Sequence, residues 1–170
     1  MKKQYPIFFA IWPYLAPLAL LIPHSQIAFI LWIFCVLAAP VVYIVNIIYV
    51  CRFKDDSAFR QLAFWDMIIK LCHIPFYLFM AILGMFTLLV MVVPAFIFTS
   101  PVIVLMLIAS NYLLLASSSS YGVSALVRAK SAGKISARCM VVNIILHFFF
   151  VLDVISSIYI FFRLKASQDD

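Results

Sequence analysis

Five apolar stretches, each as long as a bilayer is thick or nearly so, constrain this chain more than any other feature. A spanning helix needs about 20 apolar residues at a rise of 1.5 Å each. Residues 7–22, 26–50, 74–98, 102–127 and 139–162 meet or approach that length. The expected fold is therefore all-α: a polytopic membrane helix bundle of about five transmembrane helices, with residues 1–170 forming a single integral membrane domain. Composition agrees, since 68% of the residues are hydrophobic, only 11% are charged and glutamate is absent. A water-soluble domain needs roughly a quarter of its positions charged, whereas here the mean hydropathy is +1.19.

The first stretch is the weakest because it is short and contains Pro13 and Pro17, which predict a kinked, tilted or re-entrant segment. It follows Lys2 and Lys3, but it ends at Ile22-Pro23-His24-Ser25 without a small-x-small cleavage site. It reads as a retained segment rather than a removed signal. Between Leu62 and Val93 one unbroken helix would run about 48 Å, well beyond a ~30 Å hydrocarbon core. A break at Pro75 is expected, leaving residues 62–73 as an interfacial amphipathic helix with Trp65 at headgroup level.

The net charge is +6, and the basic residues are gathered at the ends of apolar segments. That pattern points to membrane lipids, with anionic headgroups at the cytoplasmic face as partners, and not to nucleic acid. Lys2 and Lys3, then Arg52, Lys54 and Arg60, then Arg128, Lys130, Lys134 and Arg138 alternate with connections that carry no formal charge. Positive-inside reasoning makes the N-terminus cytoplasmic in a multi-pass arrangement within a cell membrane. A fifth crossing would carry the C-terminus outside, against the charge of Arg163 and Lys165.

Polar residues inside apolar helices are expensive, about 2.5 to 3.5 kcal/mol for a charge at the helix centre, so each calls for a partner or a role. Asp153, His147, Asn143 and Ser157 lie in the last segment and Asn111 in the fourth; together they form a candidate buried polar site. On one continuous helix His147 and Asp153 would sit roughly 120° apart by the 3.6-residue turn, so each is expected to seek another helix. The pair reads either as a proton-carrying or substrate-binding site or as ties that fix the bundle. Asp66, Lys70, His73 and Tyr77 share one helix face at i, i+4, i+7 and i+11, a candidate interfacial lipid-binding set. Its plainer reading is the wet face of an amphipathic helix. Ala116, Ser120 and Ser124 repeat at four-residue spacing, the small-xxx-small pattern of close helix packing.

No Gly-rich phosphate loop, H-E-x-x-H or G-x-S-x-G motif occurs, so no catalytic residue, metal or cofactor is assigned. Cys35, Cys51, Cys72 and Cys139 lack ligand or redox spacing. At Lys70-Leu71-Cys72-His73-Ile74-Pro75-Phe76-Tyr77, Ser119-Ser120-Tyr121-Gly122 and Phe150-Val151-Leu152-Asp153 the chain resembles a family of small bacterial multi-pass membrane proteins without an assigned activity. The resemblance covers roughly residues 62–160 and implies a bacterial inner-membrane setting. The expected function is a non-enzymatic component of a transport or envelope system that binds a lipid, a small hydrophobic ligand, a partner membrane protein or a second copy of itself. The alternative is a membrane-embedded enzyme or proton-coupled carrier that uses Asp153 and His147.

Overall fold

A computed structural model describes residues 4–19, 21–23, 25–53 and 58–166. Lys2, Lys3 and Lys54, three of the basic residues expected to orient the chain, lie outside the described residues. The described chain is all-helical: α1 Gln4–Ala19, α2 Ser25–Arg52, α3 Phe59–Val90, α4 Thr99–Ser131, α5 Ala137–Leu146 and α6 Phe150–Ala166, with a short 3-10 turn at Pro94–Phe96. Among the described residues three helices, not five, are long and apolar enough to cross a membrane: α2, α3 and α4. α1 has 16 residues, about 24 Å at helical rise, and falls short of a ~30 Å core.

The expected break at Pro75 does not occur, and residues 62–73 form no separate interfacial helix. α3 runs through the proline for 32 residues. Proline removes one backbone donor, and inside an apolar bundle the carbonyls around such a gap are served by neighbours. The carbonyl that loses its donor is that of Leu71, and the Tyr14 hydroxyl of α1 donates to the next one, the Cys72 carbonyl. Pro13 acts likewise within α1, since it leaves the Phe9 carbonyl without its i+4 donor. The His73 ring faces the Phe9 and Ala10 carbonyls, without hydrogen-bonding geometry, and meets the Phe9 ring edge-on at 5.5 Å.

α3 and α4 form a long antiparallel hairpin whose two halves differ. In the half near Phe59 and Ser131, Leu62, Ile69, Leu115, Leu126 and Ala129 are buried under α1, α2, α5 and α6. In the other half Leu78, Phe86, Leu89, Leu105 and Met106 are exposed around the hairpin. α4 closes with Gly133 at φ +71°, where Lys134 N donates to the Ala129 carbonyl and Gly133 N to that of Lys130, each at 2.9 Å. Only glycine takes that left-handed position without a steric penalty, so the chain reverses there.

The fifth expected span, residues 139–162, is not one helix. It breaks at His147–Phe149 into α5 and α6, of 10 and 17 residues, which fold back against each other. Ser156 Oγ donates to Asn143 Oδ1 at 2.8 Å, and Arg163 Nη1 to Cys139 Sγ at 3.1 Å, so the end of α6 returns beside the start of α5. Arg163 therefore lies at the same end of the α5–α6 hairpin as Arg138.

Candidate functional site

The α5–α6 turn brings together what one straight helix would hold apart. His147 Nδ1 lies 2.7 Å from Asp153 Oδ1, so the expectation that these two cannot pair within their segment is overturned by the break between them. α3 inserts against this turn, with Asp66 and Lys70 one helical turn apart on its inner face. Lys70 Nζ sits 2.8 Å from Asp66 Oδ1, 2.5 Å from Asp153 Oδ1 and 2.9 Å from His147 Nδ1. The four residues are closed off, with exposures of 1% for Asp66, Lys70 and Asp153 and 0% for His147.

Asp66, Lys70 and His73 therefore do not form the wet, headgroup-facing surface expected from their spacing. The stripe is real, but with α3 unbroken at Pro75 it points into the bundle between α4 and α6. Tyr77, half-buried on the same face, packs edge-on against Phe150 at 5.2 Å.

α4 supplies the floor. Ser119 Oγ lies 3.3 Å from Asp153 Oδ1 and 3.1 Å from the His147 carbonyl. At Gly122 a Cβ would stand 2.5 Å from His147 Nε2 and 2.7 Å from Asp66 Oδ2, so the helix approaches the cluster only because that side chain is absent. Close approach of α4 thus centres on Gly122 and not on the Ala116, Ser120, Ser124 stripe, in which Ala116 is exposed and Ser124 half-buried. Ser120 is buried and donates to the Ser117 carbonyl.

Of the remaining polar candidates, Asn143 stands one turn before His147 and pairs with Ser156. Ser157 donates to its own helix at the Val154 carbonyl, and Asn111 to that of Leu107, so neither joins the cluster. A second polar tie was missed by sequence reasoning. Asn46 of α2 donates to Ser117 Oγ at 3.1 Å and accepts from the Tyr121 hydroxyl at 2.8 Å. Its signal was a lone buried amide in an apolar helix.

The central chemistry lies in a triangle formed by Lys70 Nζ, His147 Nδ1 and Asp153 Oδ1, with sides of 2.5, 2.7 and 2.9 Å. An ammonium only donates, and a ring nitrogen either donates or accepts. Nδ1 can accept from Lys70 or donate to Asp153, but it cannot do both at once, so displacement of one proton exchanges the two patterns. Charge counting agrees: two carboxylates and one ammonium sum to −1, and one further proton on His147 or a carboxyl makes the group neutral, as a low-dielectric interior favours. Among the described residues no group of three or more His, Cys, Asp or Glu is arranged to hold a metal.

These features define a class: a protein all-helical over its described residues, among which three helices are long and apolar enough to cross a membrane, with an ionisable quartet sealed in the interior. Residues 5–166 match the model of a family of unknown function, DUF6652, and the chain belongs to that family. No curated protein and no solved structure matches it.

Proposed function

We propose that this is a multi-pass membrane protein that works by taking up and releasing a proton at the Asp66, Lys70, His147 and Asp153 cluster, as a proton-coupled carrier does. The observation that carries the reading is the three-atom triangle, whose hydrogen bonds cannot all be satisfied in one protonation pattern. Depth supports it. Ten residues separate Arg60 from Lys70 and Asp153 from Arg163, about 15 Å at helical rise, and nine separate Ser119 from Arg128, about 14 Å. With those arginines at one interface, the cluster lies near the middle of a ~30 Å core. An ionisable group at that depth is the usual mark of a functional site.

Expense supports it as well. Elsewhere the chain ties its helices with uncharged groups, Asn46 to Ser117 and Tyr121, and Asn143 to Ser156. Four ionisable side chains are a costly way to do the same task. The competing reading, a non-enzymatic component in which the cluster only fixes the bundle for binding a lipid or a partner protein, is favoured by one observation: the quartet is fully enclosed.

Asp153→Asn separates the two. It keeps the shape and an acceptor, leaves Lys70 paired with Asp66, and makes the cluster neutral without any extra proton. The variant should unfold in detergent within about 1 kcal/mol of wild type, as expected for interhelical hydrogen bonds in membranes, yet fail to complement a strain lacking the protein. Full complementation would return the cluster to a structural role.

The proposed orientation puts the basic ends in the cytoplasm, in keeping with a bacterial cytoplasmic membrane. Cysteines introduced at the exposed positions Phe98, Ser131 and Lys165, in a background without native cysteines, test it. An impermeant reagent added outside should reach Phe98→Cys and miss both Ser131→Cys and Lys165→Cys. Opposite labelling of the last two would mean that the α5–α6 hairpin crosses the membrane.

A further inference from the structure

Between α5 and α6, on the side away from α3, runs an open groove of about 430 Å³. Its mouth carries Arg138 from α5 and Arg163 from α6. Its walls are apolar, Val142 and Leu146 facing Leu152 and Ile155. The polar atoms at its floor already satisfy each other, since Ser156 donates to Asn143. Arg163 is held at the mouth by its own neighbours: Nη1 donates to the Tyr159 hydroxyl at 2.7 Å and to Cys139 Sγ at 3.1 Å. A guanidinium has five N–H donors in a rigid fork suited to phosphate, and these contacts engage one nitrogen.

We propose that this groove seats one anionic phospholipid, its phosphate between Arg138 and Arg163 and one acyl chain along Val142, Leu146, Leu152 and Ile155. Charge complementarity selects the occupant. Two cations from different helices converge on one end of an apolar trough, and the start of α5 and the end of α6 belong to the basic end of the molecule, with Arg128 and Lys130. A neutral lipid would match the trough but not its mouth; a soluble anion would match the mouth but not the trough. The site differs from the proton cluster: Leu146 and Leu152 line the trough, whereas their neighbours His147 and Asp153 are buried against Lys70 of α3, and it stands whether or not that cluster exchanges protons.

The test is native mass spectrometry of the full chain in detergent, titrated with phosphatidylglycerol or with phosphatidylcholine of the same acyl chains. Wild type should retain phosphatidylglycerol selectively. At about 1 kcal/mol per basic residue near the surface, Arg138→Ala with Arg163→Ala should weaken retention about thirtyfold. Ile155→Trp, which keeps both arginines and obstructs the trough at a position exposed in the wild type, should also abolish selective retention. The control pair Lys130→Ala with Lys165→Ala removes as much charge from the same end and should change it little. Equal loss in the control pair, retention by Ile155→Trp, or equal binding of the two lipids would each overturn the proposal. Circular dichroism of each variant confirms that the helices are intact, and Ile155→Trp tests the trough even if the arginine pair proves poorly folded.

Discussion

Lys70→Met should destabilise the folded protein by about 3–5 kcal/mol, the range for breaking a buried ion pair by removing one partner. Methionine fills most of the lysine stem's space with a flexible apolar chain, so lost packing contributes little. What remains is two carboxylates, Asp66 and Asp153, each within 3 Å of the missing ammonium and each 1% exposed. The same reasoning fixes the rescue. Lys70→Met combined with Asp66→Asn and Asp153→Asn leaves no formal charge and should recover most of the loss, because replacing a whole buried ionic group is often close to neutral. Unfolding in mixed detergent micelles measures both. A single-variant loss below about 1 kcal/mol would mean that water reaches the cluster.

Gly122→Ala is the second large effect, and its sign comes from a competition. Alanine in a helix gains about 0.5–1 kcal/mol over glycine from backbone entropy. Against this, the added methyl would stand 2.5 Å from His147 Nε2 and 2.7 Å from Asp66 Oδ2. Neither neighbour is a free side-chain tip, for His147 is pinned by Asp153 and Asp66 by Lys70. Overpacking of this kind costs about 1–3 kcal/mol, so the net change should be a loss of about 1–2 kcal/mol. Gly84→Ala supplies the internal contrast, because nothing lies within 4 Å of a Cβ there, and it should be neutral or slightly stabilising. A stabilising Gly122→Ala would show that α4 does not press on the cluster.

The helical class was legible in the apolar runs, but the number of helices long enough to cross a membrane was not, and the reason is specific. Length and hydropathy do not reveal that residues 147–149 turn, since His147-Phe148-Phe149 carries neither proline nor glycine. The break is stabilised by tertiary contacts, His147 with Lys70 and Asp153 and the His147 carbonyl with Ser119, none of them local. A sequence-level hint did exist, in Arg163 and Lys165 standing on the wrong side of a crossing helix.

The two halves of the site were each visible but were assigned to different places. His147 and Asp153 stood out as charges in hydrocarbon; Asp66 and Lys70 stood out as an i, i+4 pair. Their union depended on α3 passing through Pro75 intact, and the local rule that proline interrupts helices pointed the other way. α3 nevertheless runs through Pro75, packed there against α1, whose Tyr14 hydroxyl donates to the Cys72 carbonyl. Gly122 lay in the Ser119-Ser120-Tyr121-Gly122 stretch that carried the resemblance, but only the approach of α4 to a buried imidazole shows why glycine is needed there.

The measurement that reaches the central proposal most directly is the protonation of the cluster itself across pH 5 to 8, the range in which histidine-linked switches work. The full chain would be reconstituted in lipid, with infrared difference spectra reporting a buried carboxyl and 15N NMR reporting the His147 ring. In the wild type one proton should come and go within the quartet as a unit, and in Asp153→Asn that change should vanish while the helical amide bands stay the same. A quartet whose carboxyls and imidazole keep one protonation pattern throughout that range, in wild type and variant alike, would contradict the proposal and leave Asp66, Lys70, His147 and Asp153 as a structural tie.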